Sequence, residues 1–226
     1  MYQYDIVRSR RKTLALHITG DSRLEVRAPL ALPAAEIDRF VASKEKWIRK
    51  NLEEIAGHSA ARSAFTLDYG SMVLLFGKEY PITPGHGRSA GFDRSGVYIP
   101  PGLGSADIKR LIVNLYRVIA KAVLVEKTGD YARSMGLMPS GIKITGAKTR
   151  WGSCSGKNSI CFSWRLIMAD EEVIDYVLVH ELAHIKEHNH SHRFWAIVEG
   201  VLPDYSARKK KLKQLQTRLA SEDWDG

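Results

Sequence analysis

Apolar and polar positions change period several times along the chain, and each change predicts an element. Between positions 6 and 27, Leu14, Leu16 and Ile18, then Leu24 and Val26, alternate with polar neighbours across Thr19, Gly20, Asp21 and Ser22. That is the pattern of a β-hairpin. Pro33 then opens a helix, where its missing amide proton costs nothing, and Ile37, Phe40, Val41, Trp47, Ile48, Leu52 and Ile55 recur at helical spacing up to a stop at Gly57. A small-residue connection at 58–63 leads to short strands at 72–76, 80–82 and 97–99, the last two separated by a glycine-rich loop at 84–91. Ser105 stands as the N-cap of a long amphipathic helix carrying Ile108, Leu111, Ile112, Leu115, Ile119 and Val123, with room for a bend at Gly129 and a stop at Gly136. After a strand at 142–144 comes a hairpin turning at 155–158, on which Ile160, Phe162, Trp164 and Leu166 share one face and Cys161, Ser163 and Arg165 the other. Asp170 caps a further helix, with Glu171 and Glu172 at its positive end. Phe194, Trp195, Ile197, Val198, Val201 and Leu202 form a short apolar helix broken by Pro203. A last helix, from about 204 to 220, sets Leu212, Leu215 and Leu219 against Arg208, Lys209, Lys210, Lys211 and Lys213. The fold class is α+β, with a β-rich N-terminal lobe at 1–103 and a second lobe at 104–226 built from the long helix, the hairpin and the later helices.

Composition narrows the class without naming a chemistry. At 226 residues, 44% hydrophobic and 26% charged, the chain can bury the core of one sizeable domain or two small ones. Its longest clean apolar run, at 72–76, falls far short of the ~20 residues a membrane helix needs. The first residues lack the apolar core of a secretory signal, so a cytoplasmic protein without a membrane partner is expected. Cys154 and Cys161 are too few for a disulfide framework and lack zinc-knuckle spacing, which makes them reduced residues on the hairpin. The net charge of +9 is compatible with nucleic acid but does not require it. The glycines near 84–91 stand apart from any strand-to-helix phosphate motif and read as a flexible turn.

Candidate chemistry concentrates in one stretch, His180-Glu181-Leu182-Ala183-His184. A His-acid-x-x-His string arises by chance about 0.03 times in a chain of this composition. Here Val173, Ile174, Val177, Leu178, Leu182 and Ile185 clothe it with apolar residues, so the motif sits on a buried helix. Five of the eight histidines lie between 180 and 192, a density that a solvated helix has no use for. Residues four apart on a helix lie one above the other, so His180 and His184 can grip one metal ion, with the Glu181 carboxylate beside its open position as a proton acceptor. Several residues compete for a third ligand. His188 lies a turn too far along a continued helix, and His192 enters the next helix with His188 as its i−4 neighbour. Glu199 would make a two-His, one-Glu site, yet such sites usually take the Glu from a separate helix further downstream. His190 follows a turn at Asn189, before Ser191 caps the next helix, and is the expected ligand.

The string Lys148-Thr149-Arg150-Trp151-Gly152-Ser153-Cys154-Ser155, then Trp164-Arg165-Leu166-Ile167, Val173-Ile174-Asp175-Tyr176-Val177, the HELAH motif, Asn189-His190-Ser191 with Phe194-Trp195, and Pro203-Asp204-Tyr205 resembles the YgjP-like metallopeptidases. That family is similar in turn to the SprT-like and WLM zinc peptidases. The match is dense over about 141–212 and looser over about 15–140, reaching about 15–220 in all. The resemblance implies a zincin-like second lobe and a Zn2+-dependent peptidase acting on peptides or proteins, with His180, His184 and His190 as ligands and Glu181 as general base toward a zinc-bound water. His190 also has metzincin spacing, but Glu187 occupies the Gly position of that motif and no Met-turn follows. Asn189 is the residue able to supply a left-handed turn there. A donor for the developing oxyanion is expected from Arg150, Tyr176 or Tyr205, and the edge at 150–155 is expected to pair with an extended peptide. Arg150, Trp151 and Tyr205 are accordingly the candidate substrate contacts. The alternative is a DNA-associated protein, or a peptidase acting on DNA-bound proteins, using the basic run at 209–213. It is disfavoured because no DNA-reading module or aromatic platform accompanies those lysines.

Overall fold

A computed structural model describes residues 2–19, 22–85, 87, 89–93 and 95–224. Gly20 and Asp21 of the expected hairpin turn, and His86 and Arg88 of the expected loop, lie outside the described residues. The structure is mixed α+β: the described residues hold six α-helices and three small sheets.

The chain divides into two compact units, Met1–Phe65 with Ala220–Asp223, and Thr66–Leu219 with Trp224–Gly226. In the first, the alternating N-terminal pattern forms β1 (Tyr4–Ser9), β2 (Ala15–Ile18) and β3 (Leu24–Pro29), in the order β1-β3-β2. Strands β2 and β3 pair antiparallel as a hairpin should, and β1 joins β3 in parallel. Leu24, Val26 and Ala28 point from β3 into a core completed by Ile37, Val41 and Ile48 of α1 (Ala34–Ser43) and α2 (Glu45–Ala64). Pro33 stands at the N-cap of α1. Two expectations are corrected here. The single helix is broken at Lys44, and it does not stop at Gly57, because α2 continues through the small residues to Ala64. One exposed mid-helix glycine costs only about 1 kcal/mol, and Ala60, Ala61 and Ala64 beyond it are the best helix formers.

The second unit carries the motif. Strands β4 (Met72–Leu75), β5 (Lys78–Pro84), β6 (Gly91–Asp93) and β7 (Gly96–Ile99) form a sheet ordered β4-β5-β7-β6. The division expected at 103/104 thus differs from the observed one after Phe65. Backbone hydrogen bonds from the Phe76 and Gly77 amides to the Ile167 and Met168 carbonyls tie this sheet to the later half of the chain. Helix α3 (Ser105–Ser134) runs unbroken through Gly129 and ends before Gly136, whose φ is +62°. Its buried residues, Ile108, Ile112, Tyr116, Ala120, Leu124, Thr128 and Ala132, recur every fourth position, a single ridge for packing against other elements. Gly104, not Ser105, occupies its N-cap position, and the Ser105 hydroxyl instead accepts from the Leu67 amide at 3.2 Å.

Strands β8 (Gly141–Thr145), β9 (Gly152–Cys154) and β10 (Ser159–Ser163) make a sheet ordered β8-β10-β9, so β9 is an edge. The β9–β10 hairpin is antiparallel, turning at Asn158 with φ +57°. Its alternation ends at Ser163, because Trp164–Met168 forms a 3-10 turn that buries every residue. Trp164 and Leu166 are therefore core through this turn, packed with Tyr116 and Trp224 at the Trp164 end, and not through a strand face. Cys154 and Cys161 are both free thiols. Helices α4 (Glu171–Ala183), α5 (His192–Val201) and α6 (Tyr205–Leu219) complete the unit. Asp170 takes the N-cap position of α4, though its side chain accepts no capping hydrogen bond. Helix α4 is buried on nearly every side, as its all-round apolar sequence requires. No helix of the described residues is long and apolar enough to cross a membrane.

Candidate active site

Helix α4 ends at Ala183, so His180 and Glu181 lie in its last turn and His184 is its C-cap. Asn189 does not take the left-handed conformation anticipated for it. It acts through its side chain, whose Oδ1 accepts from the Ser191 amide at 3.0 Å and closes the turn that carries His190. Ser191 caps α5 by accepting from the Phe194 amide at 3.5 Å.

One ligand nitrogen from each of His180, His184 and His190 lies within 4.8 Å of the others, the one such group of histidine, cysteine or acidic side chains among the described residues. His188 and His192 are exposed and outside it. The protonation pattern suits a cation. Nδ1 of His184 faces the Glu187 carbonyl at 3.0 Å, and since a carbonyl only accepts, that nitrogen carries the proton and Nε2 keeps its lone pair. Nε2 of His180 and Nε2 of His190 face each other at 3.1 Å, a separation that two ligands of one ion can have. Nδ1 of His180 is buried with no hydrogen-bond partner among the described residues. Burial foremost, then His184, His190 and Lys209, push the His180 pKa down to about 3, so the ring is neutral, as a ligand must be. The His184 pKa is lowered too, again chiefly by burial.

Aromatic rings hold the three imidazoles. Phe194, fully buried, lies 4.8, 4.5 and 4.8 Å from the rings of His180, His184 and His190. Trp195 stacks on the exposed His190 at 5.7 Å and 26°, and Tyr205 stacks on the other neighbour of that ladder, Trp195, at 5.2 Å. Tyr176 meets His180 edge-on at 5.8 Å. Burial, then Glu181 and Tyr205, push the Tyr176 phenol up to about 12.

Glu181 is 6% exposed, and burial raises its pKa to about 7 against the opposing pull of Arg150. Its carboxylate lies against β9: a Cβ on Gly152 would stand 2.6 Å from both Cγ and Oε1 of Glu181. Only a residue without a side chain fits. Of the anticipated substrate contacts, Arg150 is exposed and near enough to act on Glu181, and Tyr205 is half-buried in the aromatic ladder. Trp151 is half-buried, its carbonyl accepting from the Ser163 amide at 2.9 Å. Sequence reasoning missed the site roles of Gly152, Phe194, Trp195 and Lys209. The signals available were a glycine inside a strand and two aromatics four and five residues past His190.

Comparison with known proteins bears on what this arrangement does. A family model described as YgjP-like, metallopeptidase domain, matches residues 12–215. The crystal structure of the metallopeptidase zymogen of Pyrococcus abyssi abylysin is similar at 26% identity, covering 44% of this chain and 97% of that one, with a TM-score of 0.38. The metallopeptidase zymogen of Methanocaldococcus jannaschii jannalysin is similar at 23% identity over 40% of this chain and 94% of that one, with a TM-score of 0.37. No curated protein matches the chain.

Proposed function

Since this chain belongs to the YgjP-like metallopeptidase family, we propose that it hydrolyses peptide bonds with a zinc ion held by His180, His184 and His190 and with Glu181 as the general base. The observation that carries the reading is the convergence of three imidazoles beside one buried carboxylate. Three nitrogen donors suit zinc, whose catalytic sites leave one position for water or substrate. When bound, zinc would supply a Lewis acid that acidifies water and polarises the scissile carbonyl.

The chain's own residues do the rest. Burial keeps His180 neutral, and the Glu187 carbonyl fixes the His184 tautomer, so both rings present lone pairs without waiting for deprotonation. Glu181, with a pKa near 7, takes a proton from the attacking water and returns it to the leaving amine close to neutral pH. The free edge of β9 offers backbone groups to an extended peptide, which would join the β8-β10-β9 sheet as a further strand beside Glu181. Arg150, whose charge acts on Glu181, and Tyr176, on which Glu181 and Tyr205 both act, are with Tyr205 the candidate donors for the developing oxyanion, and Trp151 directly precedes the edge.

The test is Glu181→Gln. The variant should bind one zinc per chain, as the unaltered protein should, and lose hydrolysis of a peptide library by about a thousandfold or more, since a base has been removed and a ligand has not. Undiminished cleavage by the variant would remove Glu181 from the mechanism, and failure of the unaltered protein to take up zinc would remove the metal site.

A further inference from the structure

We propose that the site selects peptides with acidic side chains close to the scissile bond, their carboxylates read by Arg150 on the β9 side and by Lys209 on the α6 side. This rests on the peptidase reading above and names the substrate class for the same site. Arg150 lies two residues before Gly152, the residue pressed against Glu181, and is exposed where an added strand would begin. Lys209 reaches in from α6, its Nζ 4.7 Å above the Trp195 ring that itself stacks on His190. Two cations from separate elements thus flank the cluster.

What distinguishes them from the general basicity of the chain is that neither is tied up in a salt bridge. Among the described residues, neither Arg150 nor Lys209 forms a salt bridge, although the charge of Arg150 acts on the buried Glu181, whereas the carboxylates in the first half of α4 and just before α6 are committed elsewhere. Glu171 and Asp175 face Lys127, Glu172 faces Lys211, and Asp204 faces Arg208. The charges acting on Glu181 and His180 from outside the cluster are accordingly Arg150 and Lys209. An incoming carboxylate gains both attractions in an exposed setting, with no buried charge to desolvate, whereas a lysine in the same place meets repulsion from both sides. A nucleic-acid backbone fits less well. Arg208 and Lys211 of the basic α6 run are already held by Asp204 and Glu172, so the run offers no continuous track for successive phosphates.

The experiment measures binding to the zinc-loaded full chain carrying Glu181→Gln, using matched peptides with Glu, Gln or Lys on both sides of a fixed central pair. The Glu peptide should bind about fivefold more tightly than the Gln peptide, because an exposed ion pair contributes a factor of roughly 1.5 to 5. The Lys peptide should bind weakest, and the spread should shrink as salt rises. Adding Arg150→Glu and Lys209→Glu should invert the order, and Arg150→Lys should keep it. Equal binding of the Glu and Lys peptides would overturn the proposal, as would a DNA duplex that displaces the Glu peptide through the same two cations and binds more tightly. Hydrolysis of the same peptides by the unaltered chain separates the two readings. Charge order without cleavage supports this inference and sinks the proposed chemistry, while cleavage without charge order does the reverse.

Discussion

Helix α4 treats its two ends differently. At the N-terminal end, Glu171, Glu172 and Asp175 sit near the positive pole of the helix, and each meets a cation. Lys127 lies 3.5 Å from Glu171 and 3.0 Å from Asp175, Lys211 pairs with Glu172, and Arg208 donates to the Glu172 carbonyl at 3.0 Å. At the C-terminal end, His180 keeps a buried nitrogen without a partner, and Glu181 is buried with only the charge of Arg150 to answer it among the described residues. A buried polar group left unanswered costs about 1–3 kcal/mol. The same thirteen-residue helix is therefore anchored at one end and left chemically unsatisfied at the other. In the proposed function, the unsatisfied end is where an ion and a substrate would bind.

The largest break in this comparison should come from the ligands. Replacing His184 or His190 by Ala should lower zinc affinity by well over a hundredfold, because even the supporting partners of metal ligands are worth about 10–100-fold. His188→Ala and His192→Ala, outside the cluster, should keep the metal. Metal analysis of the four variants decides it, and a His190 variant that retains zinc would unseat the third ligand.

Gly152→Ala tests the contact between strand and base. The added carbon would lie 2.6 Å from the Glu181 side chain, so either the carboxylate or β9 must move. Misplacement by about 1 Å can cost on the order of a hundredfold in rate. We expect that loss in kcat/KM with zinc content unchanged, and an Ala variant of full activity would mean that Glu181 works from another rotamer. Trp195→Ala should act more gently, reducing zinc affinity about tenfold by freeing the exposed His190 ring, with Trp195→Phe restoring most of it. Equal affinity in the Ala variant would reduce the stacking to a surface contact.

Legibility followed the same divide between local and tertiary causes. HExxH on an apolar helix was readable because both the ligand spacing and the burial are properties of a single helix, and the β2–β3 and β9–β10 hairpins were readable because alternation and turn residues are local too. The run of α2 past Gly57 was not, since one glycine is outweighed by the alanines that follow it. Nor was the 3-10 turn at Trp164–Met168, whose residues alternate as a strand would and are buried only by what surrounds them. Asn189 illustrates a subtler limit. The turn before His190 was correctly placed, but it is made by an Asn side-chain hydrogen bond and not by a left-handed backbone, and both options have the same sequence signature. The proximity of Gly152 to Glu181 depends on how β9 packs against α4, and nothing within either segment encodes it.

The smallest predicted effect lies at the anchored end and concerns pH. Lys127 is partly buried, its side chain 29% exposed against 17% for Asp175. Burial alone would lower its pKa, but the hydrogen bond and charge of Asp175, joined by Glu171, outweigh this and raise it above the ordinary 10.5. A cation with a raised folded-state pKa contributes stability that is fully present below the unfolded pKa and is lost as pH rises through the folded one. The stability difference between the unaltered protein and Lys127→Met should therefore be flat from about pH 6 to 9 and should shrink above about 10.5. Its plateau should be about 1 kcal/mol, as suits a half-exposed pair. Because Lys127 stands on α3 and meets α4 only through Glu171 and Asp175 in its first half, peptide hydrolysis at neutral pH should not change. Chemical denaturation of both proteins across this range, with hydrolysis measured in parallel, tests both halves. A variant that keeps its stability at every pH would remove the ion pair as an anchor, and one that loses hydrolysis would show that the two ends of α4 are coupled after all.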